Sequence, residues 1–153
     1  MWIYERQEKR SPSGAAAELA KSLGSLGLTG SVTNPADLQR LVDQTMQQYG
    51  RIDAVVNHTG HPPKGDLLKT PDEDWRTGLD LVMLNVVRMA HLVTPIMQRQ
   101  GGGAIVNMST FAVFEPEATF LVSAAMRAAL AGFTKLYAEF EEPCVQRTLE
   151  EHC

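Results

Sequence analysis

The sequence predicts an α/β fold, an open, doubly wound parallel sheet with helices on both faces, giving three α/β/α layers. Three observations carry this. Ile52–Asn57 (IDAVVN) and Ala104–Met108 (AIVNM) are short, nearly continuous apolar runs, as strands covered on both faces by helices are. Stretches with apolar residues at helical spacing alternate with them. Gly101–Ala138 then passes from three glycines through a strand and a loop (Thr110–Thr119) into a small-residue helix from about Phe120. Open α/β sheets bind ligands at such a place, outside the carboxyl ends of their strands.

Taken in order, Trp2–Tyr4 reads as the end of a strand, followed by a polar turn over Glu5–Ser13. Pro12 and Ser13 open a helix through Ala15, Leu19, Ala20 and Leu23, which Gly24 closes. Leu26–Val32 reads as a second strand. Asn34-Pro35-Ala36-Asp37 is a helix start with a mechanism: the asparagine side chain accepts from free N–H groups, proline suits the first turn, and the aspartate favours the positive end. Leu38, Leu41, Val42, Thr45, Met46 and Tyr49 continue that helix to Gly50. Ile52–Asn57 is expected mid-sheet.

His58–Lys69 is a proline- and glycine-containing loop. Thr70-Pro71-Asp72-Glu73 reads as a capping box. The helix after it is apolar on more than one side, from Leu79 through Ile96, so it is either buried or shared with a partner, and Pro95 is expected to bend it near its end. Met83, Met89 and Met97 read as core packing. Residues 139–153 (EFEEPCVQRTLEEHC) carry no strand pattern and read as a frayed or short helical polar tail.

With 153 residues, the chain is long enough for one core and short for two, so one domain over residues 1–138 is expected. Hydrophobic residues make up 44% and charged ones 21%, which is globular and argues against disorder. A net charge of −4 argues against a nucleic-acid surface. Met1–Arg10 has charges where a signal peptide needs an apolar run, and no membrane-spanning run of uninterrupted apolar residues follows. Cys144 and Cys153 are the only cysteines and read as free thiols, so a cytoplasmic location is expected.

Five stretches, in this order, resemble the short-chain dehydrogenase/reductase family: GSVTNPADL, YGRIDAVVNHTG, the helix of Asn85, GGGAIVNMST and SAAMRAALAGFTKLYA. The resemblance spans about Ala15–Ala138 and implies a Rossmann-like sheet and hydride transfer between NAD or NADP and a carbonyl/alcohol pair. Residue by residue, Asn57 and Gly60 match the family's Asn-Asn-Ala-Gly motif beside the adenosine half of the cofactor, while His58 and Thr59 depart from it. Ser31-Val32 stands where the family has Asp-Val against the adenine. Asn85 matches the helix asparagine that holds a water in the proton relay. The family's serine, tyrosine and lysine fall on Thr110, Ser123 and Arg127.

These substitutions imply a degenerate catalytic centre. Thr110 keeps a hydroxyl able to polarise a carbonyl. Ser123 lacks the phenol acidity that general acid work draws on, and Arg127 binds but does not relay protons, because it stays protonated. Arg127 is therefore expected to touch the cofactor ribose. The family's Thr-Gly-x-x-x-Gly-x-Gly turn has no counterpart, Met1–Arg6 matches the end of the family's second strand, and its last two strands have no counterpart after Ala138. A partial or divergent member is expected.

Other constellations read plainly. His58 and His61 in HTGHPP lack companion ligands for a metal. Arg6, Lys9 and Arg10 form a basic turn within reach of a 2′-phosphate, though a solvated turn is the simpler reading. Glu115 and Glu117 read as exposed, and Tyr137 lies too far along the helix to replace the missing tyrosine. The resemblance also implies a homodimer or homotetramer through residues 79–98 and 120–140. The alternative function is a non-catalytic scaffold for oligomerisation or binding, built on the same helices.

Overall fold

The structure, a computed structural model, describes residues 2–6, 15–140 and 145–152. Residues 9, 10, 12 and 13 and both cysteines, singled out in the sequence, lie outside them. The chain forms two compact units, Met1–Gly50 and Arg51–Cys153, where the sequence predicts one domain.

The first unit holds strand β1 (Trp2–Arg6), helix α1 (Ala15–Ser22), strand β2 (Leu26–Gly30) and helix α2 (Pro35–Tyr49). The strands β1 and β2 pair in parallel from Trp2 opposite Leu26 to Arg6 opposite Gly30. Helix α2 begins as predicted: the Asn34 side chain accepts from the Ala36 N–H at 3.0 Å, with Pro35 in the first turn. It ends at Gly50, whose φ of 73° is a left-handed value that glycine adopts without penalty. Leu38, Val42 and Thr45 are its buried residues.

The second unit holds strand β3 (Ala54–Asn57), helix α3 (Asp72–Gly78), a π-helical segment (Leu79–Leu84), helix α4 (Asn85–Arg99), strand β4 (Gly103–Thr110), a 3-10 turn (Phe111–Val113), helix α5 (Leu121–Phe140) and strand β5 (Val145–His152). Its three strands are all parallel, in the order β3-β4-β5. The turn from α4 into β4 uses Gly101 and Gly102 at φ of 91° and 136°, a reversal that a side chain would oppose. Helices α4 and α5 both pack on β4. Leu81, Val82, Val86, Val93, Met97, Ile105, Val122 and Leu130 are all but sealed from solvent, each side chain adding about 1.5–3 kcal/mol of burial.

Four expectations are corrected. The central strand is β4: β3 pairs with β4 alone among the described strands, and its Val56 is 63% exposed. An apolar run signals burial on two faces, but strand neighbours are set by long-range pairing that the run does not encode. The capping box at Thr70 does not form, because the Thr70 hydroxyl donates to the Asp66 carbonyl at 2.7 Å and the helix starts at Asp72 with no side-chain cap. Residues 145–152 of the tail form strand β5, in register with β4 from Gly103 opposite Val145 to Thr110 opposite His152. The strand is held by the β4 ladder rather than by an alternation of its own. Strand β2 stops at Gly30, which leaves Ser31 and Val32 in the turn before α2.

The helical run Asp72–Arg99 is long and apolar enough to cross a membrane by length and composition. Its residues Leu81, Val82, Val86, Met89, Val93 and Met97 are buried in the second unit, as those of a core helix are.

Candidate active site

At the carboxyl ends of β3 and β4 the second unit opens into a cleft of about 340 Å³. Strand β4 supplies Met108, Ser109 and Thr110, the 3-10 turn adds Phe111 and Ala112, Phe120 stands just before α5, and α5 contributes Ser123 and Arg127. The loop after β3 closes the other side with His58, Thr59 and His61. Alternation along β4 sends Ile105, Asn107 and Ser109 to its buried side, so the last of them reaches the cleft from within the core. Ser123 and Arg127 stand four residues apart, one turn along α5, and so share a face.

Arg127 is the unusual member. Its side chain is only 4% exposed, and among the described residues it makes no ion pair with a carboxylate. Its Nη1 donates to the Met108 carbonyl at 2.9 Å, and its Nε donates to Ser123 Oγ at 3.4 Å. These bonds engage two of the five guanidinium N–H groups. Burial pushes the guanidinium down from the usual arginine range, because desolvation disfavours the charged form. In the same cleft Ser109, 6% exposed, has a hydroxyl with no hydrogen-bond partner among the described residues.

Three predicted site residues, Thr110, Ser123 and Arg127, therefore meet in one cleft. Asn57, Gly60 and Asn85 do not line it. Asn57 is buried just beneath: its Nδ2 donates to Asn107 Oδ1 at 2.8 Å, and Asn107 Nδ2 donates to Thr134 Oγ1 at 3.0 Å. Gly60 sits in the loop between two lining residues, Thr59 and His61. Asn85, 2% exposed, opens α4 directly after the π-helical segment and donates its Nδ2 to the Leu81 carbonyl at 2.7 Å. A π-helical turn inside an α-helix frequently marks a functional region.

Ser31 and Val32 belong to the first unit. The Ser31 N–H donates to Asp37 Oδ2 at 2.8 Å and its hydroxyl bonds Thr33 at 2.8 Å, so the turn is internally satisfied. Glu115 and Glu117 are exposed, as the sequence predicts. Tyr137 is engaged elsewhere, sharing a hydrogen bond with Thr94 and stacking on Phe133 at 5.5 Å.

The sequence reading missed Ser109; it weighed His61 as a metal ligand, and His58 as a metal ligand and as a departure from the family's Asn-Asn-Ala-Gly motif. The available signal for Ser109 was its place in β4, two residues beyond Asn107 and four beyond Ile105, on a side that is otherwise packed.

A family model described as enoyl-(acyl carrier protein) reductase matches residues 2–143. The 3-oxoacyl-[acyl-carrier-protein] reductase FabG of Thermotoga maritima is 30% identical over 109 residues, which are 71% of this chain and 44% of that protein. Human dehydrogenase/reductase SDR family member 4 is 28% identical over 137 residues, 89% of this chain and 49% of that one. The chain thus spans about half the length of the curated relatives it matches. Among solved structures, a 7α-hydroxysteroid dehydrogenase complexed with NADH and 7-oxo glycochenodeoxycholic acid superposes with a TM-score of 0.83, covering 97% of this chain and 58% of that one at 19% identity. That likeness carries the fold, and the sequence matches carry the family. With its parallel strands, crossover helices and cleft at the strand ends, the chain belongs to the short-chain dehydrogenase/reductase family and has the family's Rossmann-type fold.

Proposed function

We propose that this chain is an oxidoreductase that interconverts a small carbonyl compound and its alcohol with NAD or NADP. The observation that carries the reading is the meeting of Thr110, Ser123 and Arg127 in one cleft at the end of β4. The NADH in the hydroxysteroid dehydrogenase complex supports the cofactor class. The residues present fit the nicotinamide end of such a cofactor, since Arg127 retains N–H groups able to meet ribose hydroxyls. When bound, the nicotinamide supplies or accepts the hydride.

The chain's own part is positioning and polarisation. The Thr110 hydroxyl donates to the substrate carbonyl oxygen and is preorganised at the rim of a strand, where little rearrangement is needed as negative charge develops. The buried Arg127 charge favours that developing oxyanion in the same low-dielectric cleft. Ser123 accepts from Arg127 and keeps its own O–H for the substrate. Ser123 lacks the acidity of the phenol that it replaces and Arg127 is held in place as a fixed charge, so in this reading the proton is drawn from solvent at the cleft mouth and turnover is slow. The scheme places the degenerate centre on the loss of an acid, with the oxyanion donors retained.

The same reading includes a cytoplasmic setting and assembly as a homodimer or homotetramer through residues 79–98 and 120–140. Leu136, 67% exposed on α5, and Leu79, 39% exposed, support assembly there.

The test is a thermal melt with and without each nucleotide, followed by turnover assays on small ketones. A cofactor at a hundred times its dissociation constant is expected to stabilise the fold by about 2.7 kcal/mol. Reduction of a ketone that falls about a hundredfold in Thr110→Ala is the expected kinetic result. A stable oligomer whose melt is unmoved by millimolar NAD(H) and NADP(H) overturns the enzyme reading in favour of a scaffold.

A further inference from the structure

The cleft at the end of β4 has more binding capacity than carbonyl polarisation uses. Its floor holds a buried guanidinium and a buried hydroxyl, Ser109 Oγ, which among the described residues have no carboxylate partner and no hydrogen-bond partner respectively. Among the described residues that line it there is no aspartate or glutamate, and the titratable ones are Arg127, His58 and His61. At the rim Lys64 Nζ stands 4.5 Å above the ring of Phe120, adding a second cation. The walls are apolar, formed by Met108, Phe111, Ala112 and Phe120.

Buried charges in proteins are normally paired, because an unpaired one carries its full desolvation penalty. A neutral hydroxyl, from a sugar or an alcohol, satisfies N–H groups but leaves the charge uncompensated. A carboxylate does both: its two oxygens match the planar fork of the guanidinium, and one accepts from Ser109. We propose that this cleft binds small monocarboxylates with an aromatic or branched apolar body, the carboxylate on Arg127 and Ser109 and the body between Phe111 and Phe120. The site needs no nucleotide, so it stands independently of the oxidoreductase reading. It follows from an arginine standing at the position of the family's lysine, since a lysine is a point charge without the bidentate fork.

The test is calorimetric titration of the unmodified chain with benzoate and with benzamide, which share shape but differ in charge, and with acetate, which lacks the apolar body. Benzoate is expected to bind at least about tenfold more tightly than benzamide, the usual advantage of a charge-assisted bond. Acetate is expected to be weaker than benzoate by a similar factor. Arg127→Gln is expected to reduce benzoate affinity at least about tenfold and Ser109→Ala about threefold. Equal binding of benzoate and benzamide to the unmodified chain overturns the proposal, as does no binding of either, or undiminished benzoate binding by a folded Arg127→Gln variant. If that variant fails to fold, the benzoate and benzamide comparison decides alone.

Discussion

Asn57 and Asn107 face one another in register across β3 and β4, and the amide of the first donates to the amide oxygen of the second at 2.8 Å. The bond continues from Asn107 Nδ2 to the Thr134 hydroxyl, which in turn donates to the Leu130 carbonyl at 2.8 Å. A buried polar chain therefore ties the edge strand to the central strand and the central strand to α5, directly below the cleft. Its members are 8%, 3% and 7% exposed, so none has water to fall back on.

Asn107→Ala removes the shared member, leaving the buried Asn57 amide without its acceptor and Thr134 with only its bond to the Leu130 carbonyl. We expect a loss of about 2–3 kcal/mol in urea unfolding, and coupling of at least about 0.5 kcal/mol with Asn57→Ala in a double-mutant cycle. Additive losses would mean that the two amides are independent despite their distance.

Gly78 and Gly132 are both helical glycines with opposite surroundings. A Cβ on Gly78 collides with the Val122 side chain where α3 packs on α5, whereas one on Gly132 meets nothing within 4 Å. Gly78→Ala is expected to destabilise by about 1–3 kcal/mol through overpacking. Gly132→Ala is expected to stabilise by about 0.5–1 kcal/mol through helix propensity. Opposite shifts in melting temperature check both.

In the first unit the Asn34 cap is the accessible probe. Asn34→Ala leaves the Ala36 N–H without its acceptor, and a loss of about 1 kcal/mol is expected. Asn34→Asp, which keeps an acceptor and adds charge at the positive end of α2, should restore it.

Burial lowers the affinity of Arg127 for its proton in the folded state. The folded chain thus releases that proton at lower pH than the unfolded chain does. The desolvation penalty is fully present at neutral pH, below both values, and stability from this group rises as pH climbs through the folded value in alkali. Arg127→Met should remove the penalty, raise the urea midpoint at pH 7 by about 1 kcal/mol equivalent, and abolish this alkaline contribution. A lower midpoint for the variant would show that the bonds to Met108 and Ser123 outweigh the desolvation.

What could be read from the sequence divides by range. The cap at Asn34, the stop at Gly50 and the turn at Gly101 were legible because each depends on a few adjacent residues. Thr110, Ser123 and Arg127 were singled out by the resemblance, as the places of the family's serine, tyrosine and lysine, and they line one cleft. Thr70 shows how a local motif fails: its hydroxyl had a competing acceptor, the Asp66 carbonyl, that the capping pattern does not include. The edge position of β3 and the existence of β5 depend on which strands pair across the chain, and VQRTLEEH carries no alternation to reveal its partner. Ser109 was hidden because a serine in a strand is ordinary until its neighbours prove to offer it no bond.

The π-helical segment Leu79–Leu84 has a consequence for how this chain tolerates changes in length. A π turn accommodates one residue more than the α turn it replaces, so the helix carries a surplus residue there without altering which side chains face inward beyond it. From Leu81 to Met97 the buried positions recur every four residues, at Leu81, Asn85, Met89, Val93 and Met97. A one-residue deletion within 79–84 should be absorbed as a regular α turn, whereas the same deletion within α4 would rotate everything after it by about 100° and turn the core face outward.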